Sequence, residues 1–306
     1  MKIDVIIPTY KPGRELFTLL DRLERQSIPV RHIILMNTCR EYFDKLTDGV
    51  DFAAEYPNVQ VHHLGKREFD HGGTRRQGVQ YSDADFFVMM TQDAMPVDFK
   101  LVEMLVSNLS GNVAVAYARQ VPGADSSEFE KISRYFNYPE TSCVKTKADL
   151  ETMGIKTFFC SNVCAAYRRD IYEELGGFIR HTIFNEDMIY AANVVNAGYA
   201  VAYEARAKVL HSHSYTNLQQ FCRNFDLGVS QADHAEVFAG VASESEGRRL
   251  VKKAWQYLKK KKRQYKFPAF CLQCGFKYAG YLLGKHYKML PQSLILRITT
   301  NREYWN

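Results

Sequence analysis

Ile3-Asp-Val-Ile-Ile-Pro-Thr-Tyr10, followed by Leu16, Leu19, Leu20 and Leu23 and then by His32-Ile-Ile-Leu-Met36, decides the fold class. The first and last segments are short apolar runs of β-forming residues, and the four leucines recur at helical spacing. This is a β-α-β opening. Outward from it, apolar runs at Val59 to Leu64, Phe86 to Met90 and Val113 to Ala118 alternate with helical patterns around Gly72 to Gln80 and Phe99 to Leu109. Such alternation predicts an α/β architecture, a Rossmann-like, mostly parallel sheet covered by helices on both faces. Ligands of such sheets bind beyond the carboxyl ends of the strands. The residues after each run therefore become the first suspects: Thr9 and Tyr10, Asn37, the stretch Gly65 to Arg75, and Thr91 to Pro96.

The second half predicts a strand at Val163 to Tyr167, a short helix from Asp170 to Leu175, a break at Gly176-Gly177, and a helix from Glu186 to Asn196 closed by Gly198. Strands at Ala200 to Tyr203 and Lys208 to Leu210 follow, and after His213 the pattern is helical. No internal repeat occurs, and Lys259 to Arg263 is the one low-complexity segment.

At 306 residues, 46% hydrophobic and 24% charged, the chain has room for one substantial domain plus an extension. Its seven cysteines are odd in number, scattered, and preceded by no signal peptide, which predicts a reducing, cytoplasmic setting. Cys160/Cys164 and Cys271/Cys274 are isolated pairs, whereas a structural zinc site takes four ligands, so free thiols are expected. The net charge of +6 hides an asymmetry: fifteen Lys or Arg and no acid lie from Arg248 to Arg302, against 25 basic and 34 acidic residues elsewhere. A basic module joined to an acidic body concentrates polyanions or anionic lipid. Neither G-x-G-x-x-G after the first strand nor a Walker loop is present, which argues against a dehydrogenase or P-loop enzyme.

Four constellations carry chemistry. Asp93, in Gln92-Asp93-Ala94-Met95-Pro96, follows an apolar run, where a carboxylate either holds a divalent ion together with donor phosphates or is a solvated turn residue. Asn185-Glu186-Asp187 opens a helix, so its acids serve either as N-terminal caps or as a general base aimed into the crevice. His211-Ser-His213 ends another run, where imidazole either completes a metal shell begun by Asp93 or is structural. In Phe69-Asp-His-Gly-Gly-Thr-Arg-Arg76, two glycines permit close backbone approach and Arg75 can grip phosphate or sugar oxygens.

In order, these pieces resemble the inverting family 2 glycosyltransferases of GT-A fold, from Val5-Ile-Ile-Pro-Thr-Tyr10 through Asp93 to Glu186-Asp187 and Val209-Leu-His211. Within that family, Phe69 to Arg75 resembles the F-[ND]-H-G-G-T-R stretch of bacterial rhamnosyltransferases, which build cell-wall and surface polysaccharides from dTDP-L-rhamnose. The resemblance implies a GT-A catalytic domain over residues 1–215 and a helical basic region over 216–306. It makes Asp187 the catalytic base with Glu186 its understudy, Asp93 the last acid of the D-x-D metal motif, and His211 the late metal-binding histidine. Mg2+ or Mn2+ is the implied ion. Pro8, Thr9, Tyr10, Asn37, His71, Gly72, Gly73, Arg75, Gln92 and Asp93 fall to donor binding. Thr91 and Asn37 depart from the family's usual aspartates. The implied reaction is a single displacement from dTDP-β-L-rhamnose to a polyprenyl-diphosphate-linked saccharide. A UDP-hexose or UDP-N-acetylhexosamine donor, or a silent sugar-nucleotide or membrane-binding module, is the alternative.

In the basic region, Val251, Trp255 and Leu258 fall at helical spacing while lysines crowd other directions, which predicts an amphipathic basic helix. Phe267 to Leu296 has no uninterrupted apolar run of about 18 residues, so peripheral attachment to the inner membrane face is expected in preference to a spanning helix. The competing expectation is a helical packing or dimerisation element, which leaves a homo-oligomer open; nucleic-acid binding is disfavoured because no reading motif occurs.

Overall fold

The structure is a computed structural model describing residues 1–239 and 244–305. Its strands are β1 (Ile3–Tyr10), β2 (His32–Thr38), β3 (Val59–Leu64), β4 (Phe86–Met90), β5 (Met95–Pro96), β6 (Val113–Val121), β7 (Cys143–Lys145), β8 (Cys164–Arg168) and β9 (Ala200–Leu210). The helices of the sheet-bearing part are α1 (Glu15–Glu24), α2 (Arg40–Thr47), α3 (Phe52–Glu55), α4 (His71–Gln80), α5 (Leu101–Val106), α6 (Glu128–Asn137), α7 (Leu150–Met153), α8 (Arg169–Glu174) and α9 (Glu186–Asn196). Then come α10 (Asn217–Asp233), α11 (Ala235–Phe238), α12 (Glu244–Lys260), α13 (Phe267–Lys285) and α14 (Gln292–Ile298).

The strands form one sheet in the order β3-β2-β1-β4-β8-β6-β9-β5, with β7 also paired to β9. Six of the nine run the same way, while β8, β5 and β7 oppose their neighbours. Period-two alternation divides the buried side chains between two cores. Val5, Ile7, Ile33 and Leu35 pack with Leu16, Leu19, Leu20 and Leu23 of α1 and with α5, while Ile6, Ile34 and Met36 pack with Val79 of α4 and with α8 and α9 on the other face.

Two expectations change in detail. The separate strands at 200–203 and 208–210 are one strand, β9, whose pairing with β6 shifts register between Ala118 and Arg119. The stretch between β6 and β8, to which the sequence reading assigns no element, folds as α6, β7 and α7. α6 is set by Ser127, whose hydroxyl accepts from the backbone N–H of Glu130.

Strand direction assembles the site. The carboxyl ends of β1, β2, β4, β6 and β9 gather at one edge of the sheet, and because β8 runs against β4 and β6, the residues just before it, 160–163, arrive at that edge too. The short β5 pairs Met95 with Leu210 and Pro96 with Val209, which sets Asp93 beside His211.

Past β9 the chain is helical. α10 and α13 approach closely enough that a Cβ on Gly228 would lie 2.3 Å from the carbonyl oxygen of Tyr281, and one on Gly284 would lie 2.1 Å from that of Phe225. Hydrogen at these positions is what permits the contact. The apolar stripe of α12 is spent inside the protein: Ala254 and Leu258 are fully buried with Ile132 of α6 and Phe270 of α13. Trp255 remains 43% exposed, with an edge-on contact to Phe267. Among the described residues no helix is long and apolar enough to cross a membrane. All seven cysteines are free thiols.

Candidate active site

A cavity of about 590 Å³ opens at the carboxyl edge of the sheet, lined by Asp93, His211 and His213 toward one end and by His71, Arg75, Glu186 and Asp187 toward another. The two acidic segments that the sequence keeps far apart therefore share one space.

At the first end, Asp93 Oδ2 lies 3.5 Å from His211 Nε2 and 3.3 Å from His213 Nε2. The two Nε2 atoms are 3.0 Å apart. Gln120, at the end of β6, faces His211 Nδ1 at 2.9 Å through its Oε1. Because an amide oxygen only accepts, His211 Nδ1 carries a proton, so that in a metal-ligating, neutral imidazole the Nε2 lone pair faces the space shared with Asp93 and His213; without an ion the same nitrogen can instead donate to the Asp93 carboxylate. Gln120 is fixed in turn by Arg134 of α6 and by Tyr138. Glu130 accepts the backbone N–H of His213 at 2.8 Å. Two imidazole nitrogens and a carboxylate oxygen, all within 4.8 Å of one another, are a donor set for a divalent transition ion such as Mn2+. Withdrawal from water opposes the charge on Asp93, but the histidines hold its pKa well below the usual carboxylate range. Burial, with the neighbouring His211, pushes His213 down to about 4, so it is neutral and free to ligate.

At the other end, Asn185 takes the left-handed conformation (φ 65°) that starts α9, a conformation asparagine tolerates. Glu186 is buried, forms an ion pair with Arg75 (Nε at 3.2 Å) and accepts a hydrogen bond from Asn162 Nδ2 at 3.0 Å. Burial works against its charge, yet Arg75 and His71 lower its pKa. Asp187 is partly open to the cavity, and its Oδ2 accepts the backbone N–H of Asn162 at 3.0 Å. Removal from bulk water and the adjacent Glu186 carboxylate raise its pKa. Two neighbouring acids thus diverge: one is locked as a paired anion, the other is poised to exchange a proton.

The motif around His71 serves this arrangement. Asp70 caps α4 by accepting from the N–H groups of Gly72 and Gly73 and also accepts the N–H of Thr182. The backbone that approaches the glycines is the chain's own: a Cβ on Gly72 would lie 2.1 Å from Ile179 O, and one on Gly73 2.7 Å from Arg180 O. Arg75, expected to grip phosphate, has its guanidinium engaged with Glu186 and with the carbonyl of His71.

Pro8, Thr9, Tyr10, Asn37 and Gln92 lie along the same sheet edge, outside the lining of this cavity. Asn37 is fully buried, its Oδ1 accepting from Thr9 Oγ1 (3.0 Å) and its Nδ2 bonded to His63 Nδ1 (3.1 Å). Gln92 makes two hydrogen bonds to the backbone of Tyr10, whose exposed ring packs edge-on against Tyr42 with Lys11 Nζ about 5 Å from both.

Sequence reasoning passed over Asn162, Gln120, Glu130 and Arg134. The His-x-His spacing marked His213 beside His211, since alternate residues of an extended chain face one side, whereas the resemblance singled out His211 alone. The cavity also takes Gln220, Arg223, Leu227 and Gln231 from α10 and Gln273 and Lys277 from α13. The helical region is therefore a wall of the site.

A sheet of this order, with a carboxylate and two histidines at its carboxyl edge and a carboxylate pair facing them, defines a nucleotide-sugar-dependent glycosyltransferase of GT-A type. The chain belongs to glycosyl transferase family 2, whose model matches residues 4–176. It is 39% identical to the O-antigen chain rhamnosyltransferase RfbN of Salmonella typhimurium, over 100% of this chain and 96% of that one. To WbaN of Salmonella anatum, also named an O-antigen chain rhamnosyltransferase, it is 37% identical over 99% and 95%. Its fold is similar to that of a mannosyltransferase from Pyrobaculum calidifontis solved with GDP-Man and Mn2+ (TM-score 0.58, 15% identity, 99% of this chain and 84% of that one). It is similar also to S. aureus TarS 1-349 (TM-score 0.55, 12% identity, 94% and 91%).

Proposed function

We propose that this enzyme transfers L-rhamnose from dTDP-β-L-rhamnose to a polyprenyl-diphosphate-linked saccharide during synthesis of a bacterial surface polysaccharide. The observation that carries the reading is the single cavity shared by Asp93, His211 and His213 on one side and Glu186 and Asp187 on the other. Rhamnose is supported by the two full-length relatives named rhamnosyltransferases.

In this reading Asp93, His211 and His213 would hold a divalent cation, which when bound would supply neutralising charge to the diphosphate. Pro8, Thr9, Tyr10 and Gln92 form the nucleotide end, with Asn37 beneath fixing Thr9, while His71, Gly72, Gly73 and Arg75 shape the sugar end and hold Glu186 in place. Asp187 takes the proton of the acceptor hydroxyl. The freed oxygen attacks the anomeric carbon from the face opposite the diphosphate, the bond to the diphosphate oxygen breaks, and the configuration inverts. The product is an α-L-rhamnoside and dTDP. Attachment to an anionic membrane face is assigned to exposed Lys259 to Lys262 with Trp255 and Tyr265, since α12 has its apolar stripe buried.

The test is a donor panel of dTDP-rhamnose, UDP-glucose, UDP-N-acetylglucosamine and GDP-mannose, with and without Mn2+ or Mg2+, and the anomeric configuration of the product read by NMR. The expected result is metal-stimulated transfer from dTDP-rhamnose with inversion. Preference for another donor, or a retained configuration, overturns it.

A further inference from the structure

We infer that α10 and α13 supply a second anion subsite to this cavity, formed by Arg223 and Lys277 and suited to a diphosphate. The inference rests on the transferase reading and adds a ligand contact to it. Both side chains line the cavity, and neither makes an ion pair or hydrogen bond among the described residues. That sets them apart from the other cations drawn into the fold. Arg31 is paired with Asp4, Arg75 with Glu186 and Arg119 with Glu140, and Lys145 is held by the carbonyls of Lys156 and Phe159.

Arg223 is clasped by two rings, its guanidinium carbon 5.3 Å from the centre of Phe184 and 4.9 Å from that of Tyr215. Phe184 immediately precedes Asn185-Glu186-Asp187, and Tyr215 packs against His213 at 4.9 Å. The guanidinium therefore stands between the acidic and the metal-binding ends, oriented by cation–π contacts that leave its N–H groups unspent. Lys277 is half-buried, and burial lowers its pKa, so its ammonium gains from an anionic partner. The acid that acts on it through space, Glu130, spends its Oε1 on Arg134 and the N–H of His213 and leaves its buried Oε2 without a hydrogen-bond partner, and no hydrogen bond or ion pair joins it to Lys277 among the described residues.

One helical turn before each cation stands an amide facing the same cavity: Gln220 before Arg223 and Gln273 before Lys277. Neither amide side chain is hydrogen-bonded among the described residues, so two cations and two amides on one wall await a partner rich in acceptor oxygens. The glycine contacts between α10 and α13 hold that wall together. A diphosphate fits, and it has two sources: the nucleotide sugar or the lipid-linked acceptor.

The experiment titrates inorganic pyrophosphate, without metal, into the full-length wild-type chain and its Lys277→Gln, Lys277→Arg and Arg223→Gln variants by calorimetry. Charged hydrogen bonds of this kind predict roughly tenfold or greater weakening for each glutamine variant and near wild-type binding for Lys277→Arg. Transfer assays then assign the source. A raised KM for a diphosphate-linked acceptor that vanishes with a phosphate-free alkyl glycoside assigns the acceptor; a raised donor KM with both acceptors assigns the nucleotide sugar. Wild-type chain that binds no pyrophosphate, or folded glutamine variants that bind it unchanged, overturns the inference. Lys277→Gln alone decides the matter if Arg223→Gln fails to fold. Because the titration contains no sugar, its outcome is separate from that of the donor panel.

Discussion

Gln120 governs which nitrogen of His211 faces the cavity, and through it whether Asp93 and His213 find a third ligand. Replacing it by leucine removes the acceptor for Nδ1–H while leaving all three ligands in the chain. Loss of the group that orients a ligating imidazole costs about 10- to 100-fold in metal affinity, so Gln120→Leu should need correspondingly more Mn2+ for half-maximal activity; an unchanged requirement contradicts the tautomer assignment. Asp187 carries a second prediction. Its folded pKa is raised, so the stability it contributes is complete below the ordinary aspartate value of about 3.9 and is lost as pH rises through the higher folded value. An asparagine there does not titrate. The Tm of Asp187→Asn relative to wild type should therefore climb between pH 4 and pH 9, whereas a flat difference would mean that the carboxyl behaves as a solvated helix cap. Asp93, Glu186, Asp187 and His211 were legible in the sequence because each follows an apolar run or opens a helix at a strand-rich edge. The pairing of Arg75 with Glu186 was not legible, because Glu186 is remote in sequence and no local pattern reports an ion pair closed by tertiary folding.

Among elements, the pair α10 and α13 shows how glycine placement can be read only in three dimensions. Gly284 and Gly275 both lie within α13, yet a Cβ on the first would strike the backbone of Phe225, and one on the second would meet nothing within 4 Å. Gly284→Ala should destabilise by about 1–3 kcal/mol through overpacking, while Gly275→Ala should stabilise by about 0.5–1 kcal/mol through helix propensity and lost unfolded-state freedom. Chemical denaturation of the two variants checks the pair, and equal effects would contradict the packing described. The strands β1 to β4 and helix α1 were visible from apolar period, and α9 from its opening acids and closing Gly198. α6 was passed over although Phe129, Ile132 and Phe136 recur at helical spacing. Glu130 and Arg134 went with it, because their partners Gln120 and His213 lie in other elements and are met only on folding.

For the whole molecule, the sequence marked off a basic helical region, and folding makes that region part of the active-site wall. Deleting it would remove Arg223 and Lys277 from the cavity along with any membrane contact, so attachment is better probed on the surface. Substituting Lys259, Lys260, Lys261 and Lys262 by glutamine, each worth about 1 kcal/mol near an anionic leaflet, should abolish binding to phosphatidylglycerol vesicles at moderate salt while rhamnosyl transfer to a water-soluble acceptor persists; retained vesicle binding would place the contact elsewhere. The central claim is that a metal-binding end and a proton-accepting end meet in one cavity. It is tested most directly by measuring donor affinity and single-turnover transfer for Asp187→Asn in the presence of Mn2+. The account predicts donor binding within a few-fold of wild type and transfer slower by roughly 10²- to 10⁴-fold; near-normal transfer, or loss of donor binding, would contradict it.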